Sequence, residues 1–191
     1  MKRLISLTLI LCLLLAFTGC GGSKYESGLH HVEIVVENYG TIAVELDADT
    51  APISVSNFCK LAEDGFYDGL TFHRIMSGFM IQGGDPNGDG SGGLDEKIKG
   101  EFSANGIENP ISHVRGTISM ARSNDMDSAS CQFFIVHEDS LFLDGQYAGF
   151  GHVTSGMEVV DAICQDSQPV DGNVTIPWWE QPVIKEIRVI D

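Results

Sequence analysis

Between Phe72 and Asp85 the chain reads Phe-His-Arg-Ile-Met-Ser-Gly-Phe-Met-Ile-Gln-Gly-Gly-Asp. Apolar and polar residues alternate in two short runs about Ser77-Gly78, which predicts two strands joined by a tight turn. Arg74 constrains such a hairpin most. A guanidinium set among Phe72, Ile75, Phe79, Met80 and Ile81 must reach water, a carboxylate or a bound molecule, because a buried unpaired charge is costly. Phe79, Met80 and Gln82 follow at close spacing, so one apolar surface can carry both a fixed cation and an amide. The plainer alternative is a core hairpin whose arginine pairs with a structural acid.

Elsewhere the chain repeats this idiom of short alternating runs. Val32 to Glu37 and Thr41 to Leu46 flank Asn38-Tyr39-Gly40 as a second hairpin. Arg115 to Ala121, Cys131 to His137, Ala148 to Val153 and Val183 to Ile190 read as further strands. Thr50-Ala51-Pro52 opens a helix, with a hydroxyl near the cap and proline in the first turn. Val55, Phe58, Leu61 and Ala62 form its apolar stripe, and Gly65 stops it. Met157, Val160 and Ile163 mark a second short helix from Gly156 to Gln165. Gly83 to Gly93 is a glycine-rich loop and Arg122 to Ser130 a polar one. Many short strands, two helices and no βαβ rhythm predict a mainly β domain, a closed antiparallel barrel.

The N-terminal segment is a different kind of sequence. Lys2-Arg3 precedes an apolar run from Leu4 to Phe17, 14 residues long, too short to span a bilayer and matched to the core of a signal peptide. Residues 1–19 are therefore expected to be removed, leaving 172 of the 191 residues with nine basic and 27 acidic side chains, or −18. That acidity disfavours nucleic acid as a partner and favours solubility in an exposed compartment. Residues 20–31, with Gly21-Gly22-Ser23 and His30-His31, read as a flexible tether, and 32–191 as one domain. Cys59, Cys131 and Cys164 show neither a Cys-x-x-Cys pair nor zinc spacing and read as small buried apolar residues.

Other candidate sites carry weaker signals. Asp85, Asn87, Asp89, Gly90 and Glu96 satisfy the spacing of an EF-hand calcium loop, but a strand precedes them and Pro86 and Gly88 break helix. A calcium-stabilised domain is the alternative this spacing supports. His73 is expected to be a satisfied core imidazole, and His113, His137 and His152 lack ligand spacing. No Gly-x-Ser-x-Gly elbow accompanies them. Trp178-Trp179 is expected to pack over one end of the barrel, with an exposed partner site as the alternative.

Taken together, Phe72-His73-Arg74-Ile75, Gly78 to Asp85, Gly90-Ser91-Gly92-Gly93, Ile118 to Ala121, Ser130 to Ile135 and Leu143-Asp144-Gly145 resemble the ordered blocks of cyclophilin-type peptidyl-prolyl cis-trans isomerases. The resemblance runs from about Val32 to Asp191. It implies the finer form of the barrel, eight strands capped by the two helices, and an enzyme that speeds rotation about X-Pro bonds, with no cofactor and no metal. Arg74 takes the place of the catalytic arginine. Phe79, Met80, Phe134 and Leu143 take that of the proline pocket, and Gln82 and Gln132 of its polar anchors. Ala121 corresponds to a wall beside the substrate, and Arg122 stands where an asparagine is usual. Phe142 replaces a tryptophan and Tyr147 a histidine, which implies weaker inhibition by cyclosporin without loss of catalysis. Phe17-Thr18-Gly19-Cys20 resembles a lipobox, apart from Phe17 in place of leucine, with Cys20 as the lipidated residue. The implied protein is a monomer anchored on the extracytoplasmic face of a bacterial envelope, acting on proline-containing exported chains. A module that grips such segments without turnover is the alternative, and Arg74 argues against it.

Overall fold

The computed structural model describes residues 24–169 and 175–191; the expected signal peptide and Cys20 lie outside them. Eight strands form a single antiparallel sheet: β1 (Leu29–Val36), β2 (Gly40–Asp47), β3 (Phe72–Met76), β4 (Met80–Gly83), β5 (Thr117–Met120), β6 (Phe133–Val136), β7 (Gly149–Ser155) and β8 (Ile184–Val189). Their spatial order is β3-β4-β6-β5-β7-β2-β1-β8. The sheet curls into a half-barrel. Among the described residues β3 and β8 share no ladder, and the edges meet only where each strand begins, through residues 69–72 and 182–184. Gly69 N–H donates to the Ile184 carbonyl at 2.8 Å, and Ile184 N–H to that of Leu70 at 2.7 Å. The expected continuous closure by strand pairing is thus replaced by a short seam.

Inside the curl sits the core. Helix α1 (Pro52–Glu63) inserts Val55, Phe58, Cys59 and Ala62, and the Phe58 ring lies 5.1–5.3 Å from those of Tyr67, Phe133 and Phe150. Gly65 ends α1 in the left-handed conformation, as its position after the apolar stripe predicts. Helix α2 (Met157–Asp166) buries Val159, Val160, Ile163 and Cys164. Its entry needs Gly156, since a Cβ there would fall 2.4 Å from the Thr41 carbonyl oxygen. The three described cysteines are free and buried, and burial pushes the Cys59 and Cys164 thiols up to about 12.

Four local expectations give way to tertiary contacts. Thr50 does not cap α1; its hydroxyl and N–H bond Asp47 instead. The cap comes from Glu101, buried in the distant loop, whose carboxylate accepts the N–H groups of Ile53 (2.9 Å) and Ser54 (2.8 Å) and the Ser54 hydroxyl (2.7 Å). Part of the expected tether is docked: Tyr25 is buried, Lys24 pairs with Glu63, and β1 begins at Leu29 with His30 bonded to Asp191. Trp178 and Trp179 do not pack over the barrel end. They are 78% and 66% exposed, on a turn held by the buried Gln181, which donates to the carbonyls of Gly88 and Ile176. His73 is buried as expected, yet neither ring nitrogen has a hydrogen-bond partner among the described residues.

Glu101→Ala leaves two N–H groups of α1 without acceptors and is expected to cost about 3 kcal/mol in denaturant unfolding. Glu101→Gln, which keeps an acceptor oxygen, should lose less than half of that.

Candidate active site

A second apolar cluster lies on the opposite face of the sheet from the main core: Met80, Phe134, Val136 and Leu143, flanked by Met76, Phe79, Ala121 and Tyr147. The period of two along a strand explains it. On β6, Phe133 and Ile135 join the core while Phe134 and Val136 point outward; on β4, Ile81 points in and Met80 and Gln82 out. Register then aligns the outward residues. Arg74 pairs with Gln82, Gln82 with Phe134, and Phe134 with Ser119, one row across β3, β4, β6 and β5.

Along this row a cleft of about 300 Å³ opens, lined by Arg74, Phe79, Met80, Gln82, Phe134 and Leu143, with Ala121, Arg122, Phe142 and Tyr147 completing it. Nine of the ten residues expected to bind substrate line this cleft together with Arg74, and the tenth, Gln132, lines the neighbouring cavity. The Tyr147 ring meets Phe134 edge-on at 5.9 Å, and Phe142, 72% exposed, leans over Phe79 at 5.5 Å. Arg74 is partly buried, and burial draws its pKa down from the ordinary value, with Tyr147 opposing. Its guanidinium donates to Gln82 Oε1 at 3.3 Å and rests 3.8 Å from the Met80 sulfur.

Donor logic orients the amides beyond it. Because Gln82 Oε1 accepts from Arg74, its Nε2 donates to Gln132 Oε1 at 2.8 Å. Gln132 Nε2 in turn donates to the Gly92 carbonyl at 2.8 Å. The loop receiving that bond is shaped by Asp85, buried, whose carboxylate accepts the N–H groups of Asn87, Asp89 and Gly90. A Cβ at Gly92 would lie 1.9 Å from Asp85 Oδ1. The residue that would open a calcium loop is thus spent on backbone donors. Among the described residues no three His, Cys, Asp or Glu side chains gather as a metal site would need.

Beside the cleft lies a second cavity of about 250 Å³, lined by Gln82, Gly90, Gly92, Lys97, Arg122 and Gln132 among others. Arg122 lines both cavities, as do Gln82 and Ala121. Its guanidinium is held by the carbonyls of Gln146 and Ser123 and faces the Tyr147 ring at 4.7 Å and the Phe102 ring at 5.1 Å. The Ala121 N–H is committed to the Gln132 carbonyl.

Sequence reasoning missed His113, for no spacing links it to its partners. Its Nδ1–H donates to Asp144 (2.9 Å), its Nε2 accepts from the Ser119 hydroxyl (3.0 Å), and its ring stacks against Phe134 at 6.0 Å. Burial keeps this imidazole below its ordinary pKa against the pull of Asp144, so it is neutral at pH 7. The array has the composition of a hydrolase triad, but Ser119 is fully buried and no substrate reaches it. It braces the cleft floor.

The family model for cyclophilin type peptidyl-prolyl cis-trans isomerase/CLD matches residues 31–189. Peptidyl-prolyl cis-trans isomerase B of Bacillus subtilis is 48% identical over 124 residues, covering 65% of this chain and 83% of its own. Peptidyl-prolyl cis-trans isomerase A of Dickeya dadantii is 40% identical over 169 residues, covering 86% and 85%. Among solved structures, a Cryptosporidium parvum cyclophilin type peptidyl-prolyl cis-trans isomerase, crystallised in the presence of the dipeptide Ala-Pro, aligns with a TM-score of 0.74 at 30% identity. It covers 84% of this chain and 99% of that one.

Gln132→Leu removes the acceptor of Gln82 and the donor to Gly92. It is expected to lower stability by about 1–2 kcal/mol and to speed hydrogen exchange at the amides of Asn87, Asp89 and Gly90.

Proposed function

The chain belongs to the cyclophilin-type peptidyl-prolyl cis-trans isomerases and catalyses rotation about X-Pro bonds, and we propose that it does so in the cleft of Arg74, Gln82 and Phe134. The chemical demand is specific. Amide resonance sets a barrier of about 18–20 kcal/mol, and no covalent bond need break. As the bond twists, the imide nitrogen recovers its lone pair and becomes an acceptor. A donor aimed at it binds the twisted state more tightly than either planar one.

Arg74 is that donor. Its guanidinium keeps its charge at neutral pH and presents several N–H groups in a rigid fork. Phe79, Met80, Phe134, Leu143 and Tyr147 hold the proline ring, and Phe142 closes its outer rim. Gln82 and Gln132 anchor the substrate backbone. Ala121 forms the wall beside the residues before proline, where the backbone of Arg122 is offered to the peptide. The observation that carries this reading is the register row, which sets the guanidinium directly across two strands from the Phe134 ring. The seam between residues 69–72 and 182–184 completes the barrel of the family in the same reading.

The protein acts as a monomer on proline-containing exported chains, in which uncatalysed isomerisation takes tens to hundreds of seconds. Lys2-Arg3, the apolar run to Phe17 and the block ending at Cys20 support export and lipidation, which would hold the domain on the extracytoplasmic membrane face. Only four residues, Cys20 to Ser23, precede the docked Lys24, so the domain would sit close to that surface. Cys20→Ser should move the protein from the membrane fraction to the soluble one.

Exchange of a cis-X-Pro peptide should be fast with the wild type and fall by 10²-fold or more in Arg74→Ala, on the order of 3 kcal/mol of transition-state stabilisation. Wild-type protein that binds the peptide without accelerating exchange would leave the binding module as the correct reading.

A further inference from the structure

The turn that carries Phe79 into the cleft hangs from a histidine. Gly78, in the left-handed conformation between β3 and β4, donates its N–H to His137 Nδ1 at 2.9 Å. His137 N–H donates to the Phe79 carbonyl at 2.8 Å, so imidazole and backbone grip two successive residues of the turn. The histidine is itself anchored. Its Nε2 meets Asp161 of α2 at 3.1 Å, and Arg115 bonds both Asp161 (2.9 Å) and the His137 carbonyl (2.8 Å).

The donors settle the tautomer. A backbone N–H can only donate, so Nδ1 carries a lone pair, and Nε2 carries the proton given to Asp161. We propose that His137 is a positioning residue for the isomerase reaction and an acid-sensitive latch: protonation of Nδ1 sets two donors face to face, releases Gly78, and loosens the Phe79 wall of the cleft.

The charged groups near the ring are Asp161 from α2, Arg115 from the segment before β5, and Glu138 and Asp139 that follow it in its own loop, while Ser77-Gly78-Phe79 of the β3–β4 turn carries no ionisable side chain. The bond from Gly78 is what protonation of Nδ1 costs. The proposal rests on the cleft being the isomerase site, and His137 touches neither substrate nor Arg74.

The test follows X-Pro exchange by NMR from about pH 8 to pH 5.5, across the histidine range. In the wild type kcat/KM should fall on acidification, with KM rising more than kcat falls. The Gly78 amide resonance should shift along the same curve. His137→Ala should lose about fivefold in kcat/KM at neutral pH, carried mostly by KM. His137→Asn, whose Oδ1 can accept where Nδ1 does, should recover most of that loss and show no acid fall. Asp161→Asn should move the fall to lower pH, since the imidazolium loses its counter-charge. An acid fall that persists in His137→Asn, or a wild-type Gly78 resonance that ignores pH, would overturn the latch. If the wild type accelerated nothing at any pH, the cleft assignment would fail separately. The Gly78 titration and its loss in His137→Asn would still decide whether the latch exists.

Discussion

A guanidinium set into an apolar wall is tolerable only if its N–H groups meet acceptors, and useful only if those acceptors hold it in one place. Gln82 meets the first need for Arg74. The second passes along a line of amides, for a glutamine that can flip its oxygen and nitrogen positions nothing. Gln132 removes that freedom by accepting from Gln82 and donating to Gly92. The receiving loop owes its shape to Asp85 and its three backbone donors. The Gly92 carbonyl at one end, which can only accept, and the Arg74 guanidinium at the other, which can only donate, thereby fix the direction of every hydrogen bond between them.

Behind the apolar side of the cleft the same economy recurs with different groups. His113 joins Asp144, next to Leu143, to Ser119 in the Phe134 row. His137 joins α2 to the turn bearing Phe79. Each imidazole is placed to donate through one nitrogen and accept through the other, and His113 and Ser119, both fully buried, thereby satisfy groups that would otherwise be costly. His73 stands apart, buried beside Arg74 with neither ring nitrogen bonded among the described residues. Burial pulls its pKa down, against Asp85, which keeps it uncharged there.

Much of this was legible in the chain. The hairpin about Ser77-Gly78, the stripe from Val55 to Ala62 and its stop at Gly65 all follow from period and turn chemistry, and they stand where expected. Arg74, Gln82 and Phe134 could be singled out as residue types, and the family blocks brought Ala121, Gln132, Leu143 and Tyr147 beside them. The local rules failed where a distant partner outbid a near one. Thr50 looked like a cap, yet Asp47 took its hydroxyl and Glu101, far along the chain, took the helix N-terminus. Trp178 and Trp179 looked like packing residues, yet both are exposed, and it is the smaller Gln181 that is buried, bonded to Thr71, Gly88 and Ile176.

What the sequence determined by itself is the alternation: which residues of each strand face the core and which face outward follows from a period of two, whatever the strands pair with. That was enough to specify a mainly β chain with a polar cation among outward apolar residues. Which outward residues become neighbours was decided only by tertiary structure. Register between strands far apart in the chain aligned Arg74, Gln82 and Phe134. The histidine braces likewise depend on α2 and the loop before β5 arriving at particular heights. The reason is range: side-chain direction is a property of a residue and its two neighbours, whereas a hydrogen bond between residues 59 apart, as from Gly78 to His137, exists only once β4 and β6 have paired.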